Sequence, residues 1–214
     1  MKLLNRVSRI DIKRSYLMTH YLRKFGIAGK HTTEIPTQNQ YIVAYKKAVR
    51  EIKKLSEAQL DNKILEKNKT YIKRFHDLRK KRLDAYNSAH WFLAIVSIKE
   101  LGVWKGAGGL PKSWTKEPLN KLSQRIKKAL KISDYHIKAR SRRAIPSIIQ
   151  LKNTIQNDRY SIPIVFESGM GTNGRAGLPK TKFDIDDGNM RAIAYAVSSD
   201  KRLKVYVGIT KKNA

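Results

Sequence analysis

Two aspartates one residue apart sit in the one concentrated patch of negative charge in an otherwise basic chain, Phe183-Asp184-Ile185-Asp186-Asp187. Residues i and i+2 of a strand point the same way, so a strand here would put Asp184 and Asp186 on one face. Two carboxylates so placed can hold Mg²⁺ and activate water against a phosphodiester. With Glu167 added they form a candidate nuclease centre, the only setting in which the sequence calls for a metal, and no other cofactor is expected. The competing reading is a turn rich in Asp and Gly whose carboxylates pair with neighbouring Lys and Arg. The five histidines (His20, His31, His76, His90, His136) show no metal-ligand spacing, and no base partners Ser168. The chain has no cysteine, which removes disulfides, thiolate metal sites and a cysteine nucleophile.

The second kind of chemistry is charge. Forty-six Lys and Arg face 17 Asp and Glu in 214 residues, a formal +29. Self-repulsion on that scale does nothing for a compact fold, whereas each phosphate met by a cation releases condensed counterions. The run Arg79-Lys80-Lys81-Arg82, the helix-spaced Arg125, Lys127 and Lys128, and Lys138, Arg140, Arg142 and Arg143 are the candidate phosphate contacts. The excess is spread along the chain and is densest over 91–160, with 15 basic and 4 acidic residues. That distribution describes a folded body with a broad basic face rather than a detachable arm. Trp104 and Trp114 flank a glycine loop beside Lys105 and Lys112, and are the aromatics placed to stack on bases.

Leu122–Pro146 resembles a helix-turn-helix: Ile126 and Leu130 close a first helix, and Ser133 and Ile137 open and pack a second. The resemblance implies that Tyr135, His136, Lys138, Arg140, Arg142 and Arg143 face a DNA major groove. Lys127, Lys131 and Arg140 depart from that pattern, and the alternative is a basic amphipathic helix pair without groove geometry. Asp184–Val197 resembles the Asp-x-Asp-x-Asn metal turn of RusA-type Holliday junction resolvases. Here Asn189 is displaced by two residues, Arg191 stands near the family's Lys, and Asp200 is the only stand-in for its later Asp. Gly169–Gly174 spells G-x-G-x-x-G, but Gly177 and Pro179 prevent a helix from opening there, so it reads as a loop. Its amides, with Arg175, Lys180 and Lys182, could touch a phosphate.

The elements that must position these groups follow from periodicity. A short helix in 1–30 ends near Gly26 or Gly29. Thr37 to Gln40 has the form of a capping box ahead of the stripe Tyr45, Val49, Ile52, Leu55, which opens a long helix or helical hairpin over 39–86. Residues 88–103 read as an apolar helix, and 104–117 (WKGAGGLPKSW onward) as a linker or mobile loop. A basic helix carries Leu119, Leu122, Ile126 and Leu130, and a further helix runs from Ser133 to before Pro146. Ile162–Phe166, Lys182–Ile185, Arg191–Val197 and Leu203–Ile209 read as strands, with a helix over 189–197 as the competing reading.

The expectation is therefore an α+β chain: a mainly helical basic body over about 1–160 and a small C-terminal antiparallel sheet. It divides as 1–103, 104–117, 118–160 and 161–214. Its partner is DNA or RNA, bound mainly through phosphates. The alternatives are a Mg²⁺-dependent nuclease and a structural component of a ribonucleoprotein or nucleoid particle. No apolar run is long enough for membrane insertion, and an intracellular, nucleoprotein-associated location fits the charge.

Overall fold

The computed structural model describes residues 1–25, 27, 36–66, 74–132, 136–156, 158–168, 181–198 and 200–209. Eight α-helices among them surround a six-stranded mixed sheet. The strands are β1 (Lys2–Arg6), β2 (His90–Ser97), β3 (Leu101–Gly102), β4 (Ile164–Glu167), β5 (Phe183–Asp187) and β6 (Arg202–Ile209), in the order β1-β2-β6-β4-β5-β3. β1/β2, β2/β6 and β4/β5 are antiparallel, and β4/β6 and β3/β5 are parallel. The sheet is thus not a small C-terminal one: β2 pairs with β6 over its whole length and joins the two ends of the chain.

The apolar helix expected at 88–103 is strand instead. HWFLAIVS is rich in aromatic and β-branched residues and runs for only eight residues before Lys99-Glu100 turns the chain, too short for a buried helix. The turn is closed by Glu100 N–H donating to the Ser97 carbonyl and by Ser97 N–H donating to Glu100 Oε2. Across the sheet, Trp91, Gly208 and Phe166 lie in one row. The two rings close over the glycine so tightly that a Cβ there would lie 2.6 Å from Phe166 and 2.9 Å from Trp91.

The helices are α1 (Arg9–Lys24), α2 (Gln38–Lys53), α3 (Glu57–Glu66), α4 (Arg74–Ser88), α5 (Leu119–Lys131), α6 (Ala139–Gln150), α7 (Lys152–Gln156) and α8 (Asn189–Val197). The capping box at Thr37 forms with both of its bonds, and the same device recurs at Ser56 and Gln59. The second box breaks the expected long helix into α2 and α3. Arg191–Val197 is helix, the competing reading: Gly188, at φ 84°, reverses the chain out of β5, and the alanine-rich segment that follows is buried from Ala192 to Val197. α6 starts at Ala139 and carries Pro146 inside it, rather than ending before the proline. The glycines expected to end the first helix, Gly26 and Gly29, lie outside the described residues.

α1 and α4 cover the sheet face that carries Trp91 and Phe166, with α2 and α3 packed on α1. The opposite face, with Val165, Ile185, Val205 and Val207, is equally buried, and α8 packs on β6. α5 and α6 both pack on α8. Residues 104–117 are built into this body. Ala107, Leu110 and Thr115 are buried, Trp104 N–H donates to Asn189 Oδ1, and Ser141 Oγ donates to the Gly108 carbonyl.

Candidate nucleic-acid interface

Asp184 and Asp186 share a face, as strand alternation requires, but it is the inner face under α1 and α4. Asp186 lies opposite Arg82 of α4, whose Nε donates to both carboxylate oxygens at 3.0 and 2.9 Å. Tyr86 Oη donates to Asp186 Oδ2 at 2.6 Å, and Arg82 Nη1 donates to Tyr16 Oη at 2.7 Å. The rings of Tyr16 and Trp104 also face the guanidinium, at 4.9 and 5.5 Å. Burial pushes Asp186 up while Arg82 and the Tyr86 hydroxyl pull it back. Burial lowers Arg82, but Asp186, Tyr16 and Tyr86 together more than reverse this and leave it above its ordinary value. Tyr16 is pushed up to about 12, chiefly by burial.

Asp184 accepts from Thr181 Oγ1 at 3.0 Å and from Ser168 Oγ at 3.1 Å, and Asp187 pairs with Arg191 at 2.9 Å. Glu167 stands opposite Phe183 across the β4–β5 ladder, so it points to the other face from Asp184 and Asp186. The three candidate ligands therefore do not converge. Among the described residues no three His, Asp or Glu side chains are grouped as a metal site. Asp186 and Asp187 are paired with arginines, and Asp184 accepts from two hydroxyls.

The basic residues divide the same way. Arg82 is buried and internal, whereas Lys80 and Lys81 are exposed on α4. Lys127 and Lys128 are exposed on α5, together with Lys121 and Lys131, opposite a buried stripe of Leu119, Leu122, Ile126 and Ala129. Arg125, on the same outer face, grips Glu117 with Nη2 at 2.7 Å and lies 5.8 Å from the Trp114 ring. Lys138 and Arg143 are exposed on α6 or at its start, and Arg142 Nε donates to the Ile137 carbonyl at 2.8 Å. Residues 136–138 are not helical, the helix that follows is α6 from Ala139, and α5 and α6 both rest on α8. Arg175, Lys180, the 169–180 loop, Ser133 and Tyr135 lie outside the described residues, as do the side chains of Arg79 and Arg140.

The carboxylates account for the one-sided surface. Glu57 and Asp61 both bind Lys13, which is fully buried, at 2.7 and 2.5 Å. Asp11 pairs with Arg159 and Arg14, Glu51 with Lys24, Glu100 with Lys182, Glu117 with Arg125, and Asp200 with Lys152. With Asp186 and Asp187, at least nine acids hold basic partners among the described residues. The net charge that remains is positive, with exposed acids such as Glu66 and Asp84 among the exposed lysines. Sequence spacing does not reveal the Tyr16–Arg82–Tyr86–Asp186 network, whose members come from α1, α4 and β5.

No protein-family model, curated protein or solved structure matches the chain.

Two stability measurements follow. Arg82→Met leaves Asp186 buried without its cation and should cost about 3–5 kcal/mol in urea unfolding, whereas Arg82→Met with Asp186→Leu should cost less than the single change. A loss below about 1 kcal/mol for Arg82→Met contradicts the buried pair. The second concerns Asp158, which has Oδ2 buried with no hydrogen-bond partner among the described residues. Burial pushes this carboxyl up to about 6, against a smaller opposite pull from Tyr41. The folded state then holds the proton more tightly than the unfolded chain, so this group's contribution to stability falls as pH rises from about 4 to about 6 and is constant above. Asp158→Asn should flatten that part of the stability–pH curve and be more stable than the parent at pH 7 but not at pH 3. Parallel curves would contradict the assignment.

Proposed function

We propose that this protein binds DNA or RNA through phosphate contacts made by the outer face of α5, with Lys138 and Arg143 of the α6 region extending the surface. The observation that carries the reading is the charge partition. Acids are drawn into pairs within the fold, and α5 presents Lys121, Arg125, Lys127, Lys128 and Lys131 with Glu117 as the paired carboxylate beside them. Each phosphate so met releases counterions, which supplies affinity without reading sequence. α5 is a firm platform for this, because its apolar stripe is buried completely at Leu119, Leu122 and Ile126.

The nuclease alternative requires Asp184 and Asp186 to hold a metal, with Glu167 as a further catalytic carboxylate. Asp186 is engaged by Arg82, and Glu167 leaves from the opposite face, so no observation favours it.

The test is fluorescence anisotropy with short labelled oligonucleotides, titrated with salt. The parent should bind at about 50 mM salt, with log K falling linearly against log salt concentration. Combining Lys121→Glu, Lys127→Glu and Lys128→Glu should reduce that slope by about 2–3 and weaken binding at least about tenfold, with circular dichroism unchanged. Unchanged affinity in the triple variant would place the binding surface elsewhere, and no binding by the parent would end the proposal.

A further inference from the structure

We infer that Trp114 is a stacking platform for an unpaired nucleobase, so that the ligand of the α5 face is single-stranded nucleic acid. The inference rests on the phosphate reading above and adds the ligand class to it.

The three tryptophans have different surroundings. Trp91 is buried at 2% exposure in the aromatic row of the sheet. Trp104 has its Nε1 buried and the Arg82 guanidinium over its ring, within the internal network. Trp104 and Trp114 are both half-buried against the core, and of the two it is Trp114 that stands beside the exposed cations of α5. The Arg125 guanidinium is 5.8 Å from its ring, and the imidazole of His136, an exposed residue, is centred 6.2 Å away at a tilt of 43°.

The turn that carries the indole is held by its backbone: the Trp114 backbone N–H donates to the Pro111 carbonyl at 3.1 Å, and the Glu117 backbone N–H donates to the Trp114 carbonyl at 3.2 Å. The next residue, Thr115, is fully buried; its Oγ1 accepts from Gly106 N–H at 2.9 Å and donates to the Lys112 carbonyl at 3.1 Å. The cation beside the ring is fixed too, because Arg125 is tied to Glu117 through Nε and Nη2. A side chain preset in this way loses little freedom when a base arrives.

Phosphate partners flank the platform. Lys112 and Lys116 are exposed on the turn that carries the indole. Lys121, Arg125 and Lys128 follow one another at i, i+4 and i+7, a stripe about 10 Å long at 1.5 Å per residue. A backbone lying along this stripe passes the indole at Arg125. Bases in a duplex are already stacked and paired, so a lone surface indole has no π-face to meet there, whereas a single strand offers one at every nucleotide.

The test compares the parent, Trp114→Ala and Trp114→Phe against three ligands of equal length: a single strand, the same backbone with abasic residues, and a duplex. Trp114→Ala should weaken single-strand binding about tenfold and leave duplex and abasic binding unchanged, because no phosphate contact is lost. Trp114→Phe should recover most of the affinity, and parent indole emission should be quenched by the normal single strand but not by the abasic one. Equal weakening on normal and abasic strands, or none on either, overturns the stacking role while leaving the phosphate reading intact. Failure of the parent to bind all three ligands overturns both. Emission quenching by the single strand decides the matter in the parent even if Trp114→Ala proves unstable.

Discussion

The Arg82–Asp186 pair is the constraint around which the rest of this molecule is arranged. A carboxylate on β5 and a guanidinium on α4 are both withdrawn from water, at a cost of several kcal/mol per ion unless they meet each other with their remaining bonds satisfied. Here they do: Arg82 Nε reaches both oxygens of Asp186, Tyr86 supplies a further donor, and Tyr16 takes an Nη1 proton. The network ties α1 and α4 to a strand three places across the sheet from β2, which follows directly from α4. Register errors between helix layer and sheet would leave one of the two charges buried alone, so the pair also specifies the packing. It is equally the reason that Asp186 is a structural carboxylate.

The same economy of acids shapes the exterior. Lys13 takes Glu57 and Asp61 into the α1–α3 contact, and Asp11, Glu51, Glu100, Asp187 and Asp200 are each engaged by a basic partner. Exposed pairs of this kind add little stability one by one. Cations still outnumber acids across the chain, and a net positive surface of this kind repels itself.

Local signals were readable where one element's own residues decide its structure. The Thr37–Gln40 box, the stripe of α5, and strands β4, β5 and β6 follow from spacing alone. Where tertiary pairing decides, they were not. His90–Ser97 is apolar throughout, and only β1 and β6 on its two sides make it strand; Arg191–Val197 alternates like a strand, yet Gly188 and burial make it α8. Among the candidate site residues, Lys127, Lys128, Lys138 and Arg143 stood out by charge and are exposed. Arg82 stood in the same kind of run and is internal, because its partner lies 104 positions away and nothing local announces it.

The central claim is that the outward cations of α5 meet nucleic-acid phosphates. The most direct measurement is lysine-reactivity footprinting by mass spectrometry, with and without a saturating oligonucleotide. Protection of Lys121, Lys127, Lys128 and Lys131, with Lys46 and Lys47 of α2 still reactive, is the predicted result. Protection confined to α2, or none at all, would contradict it.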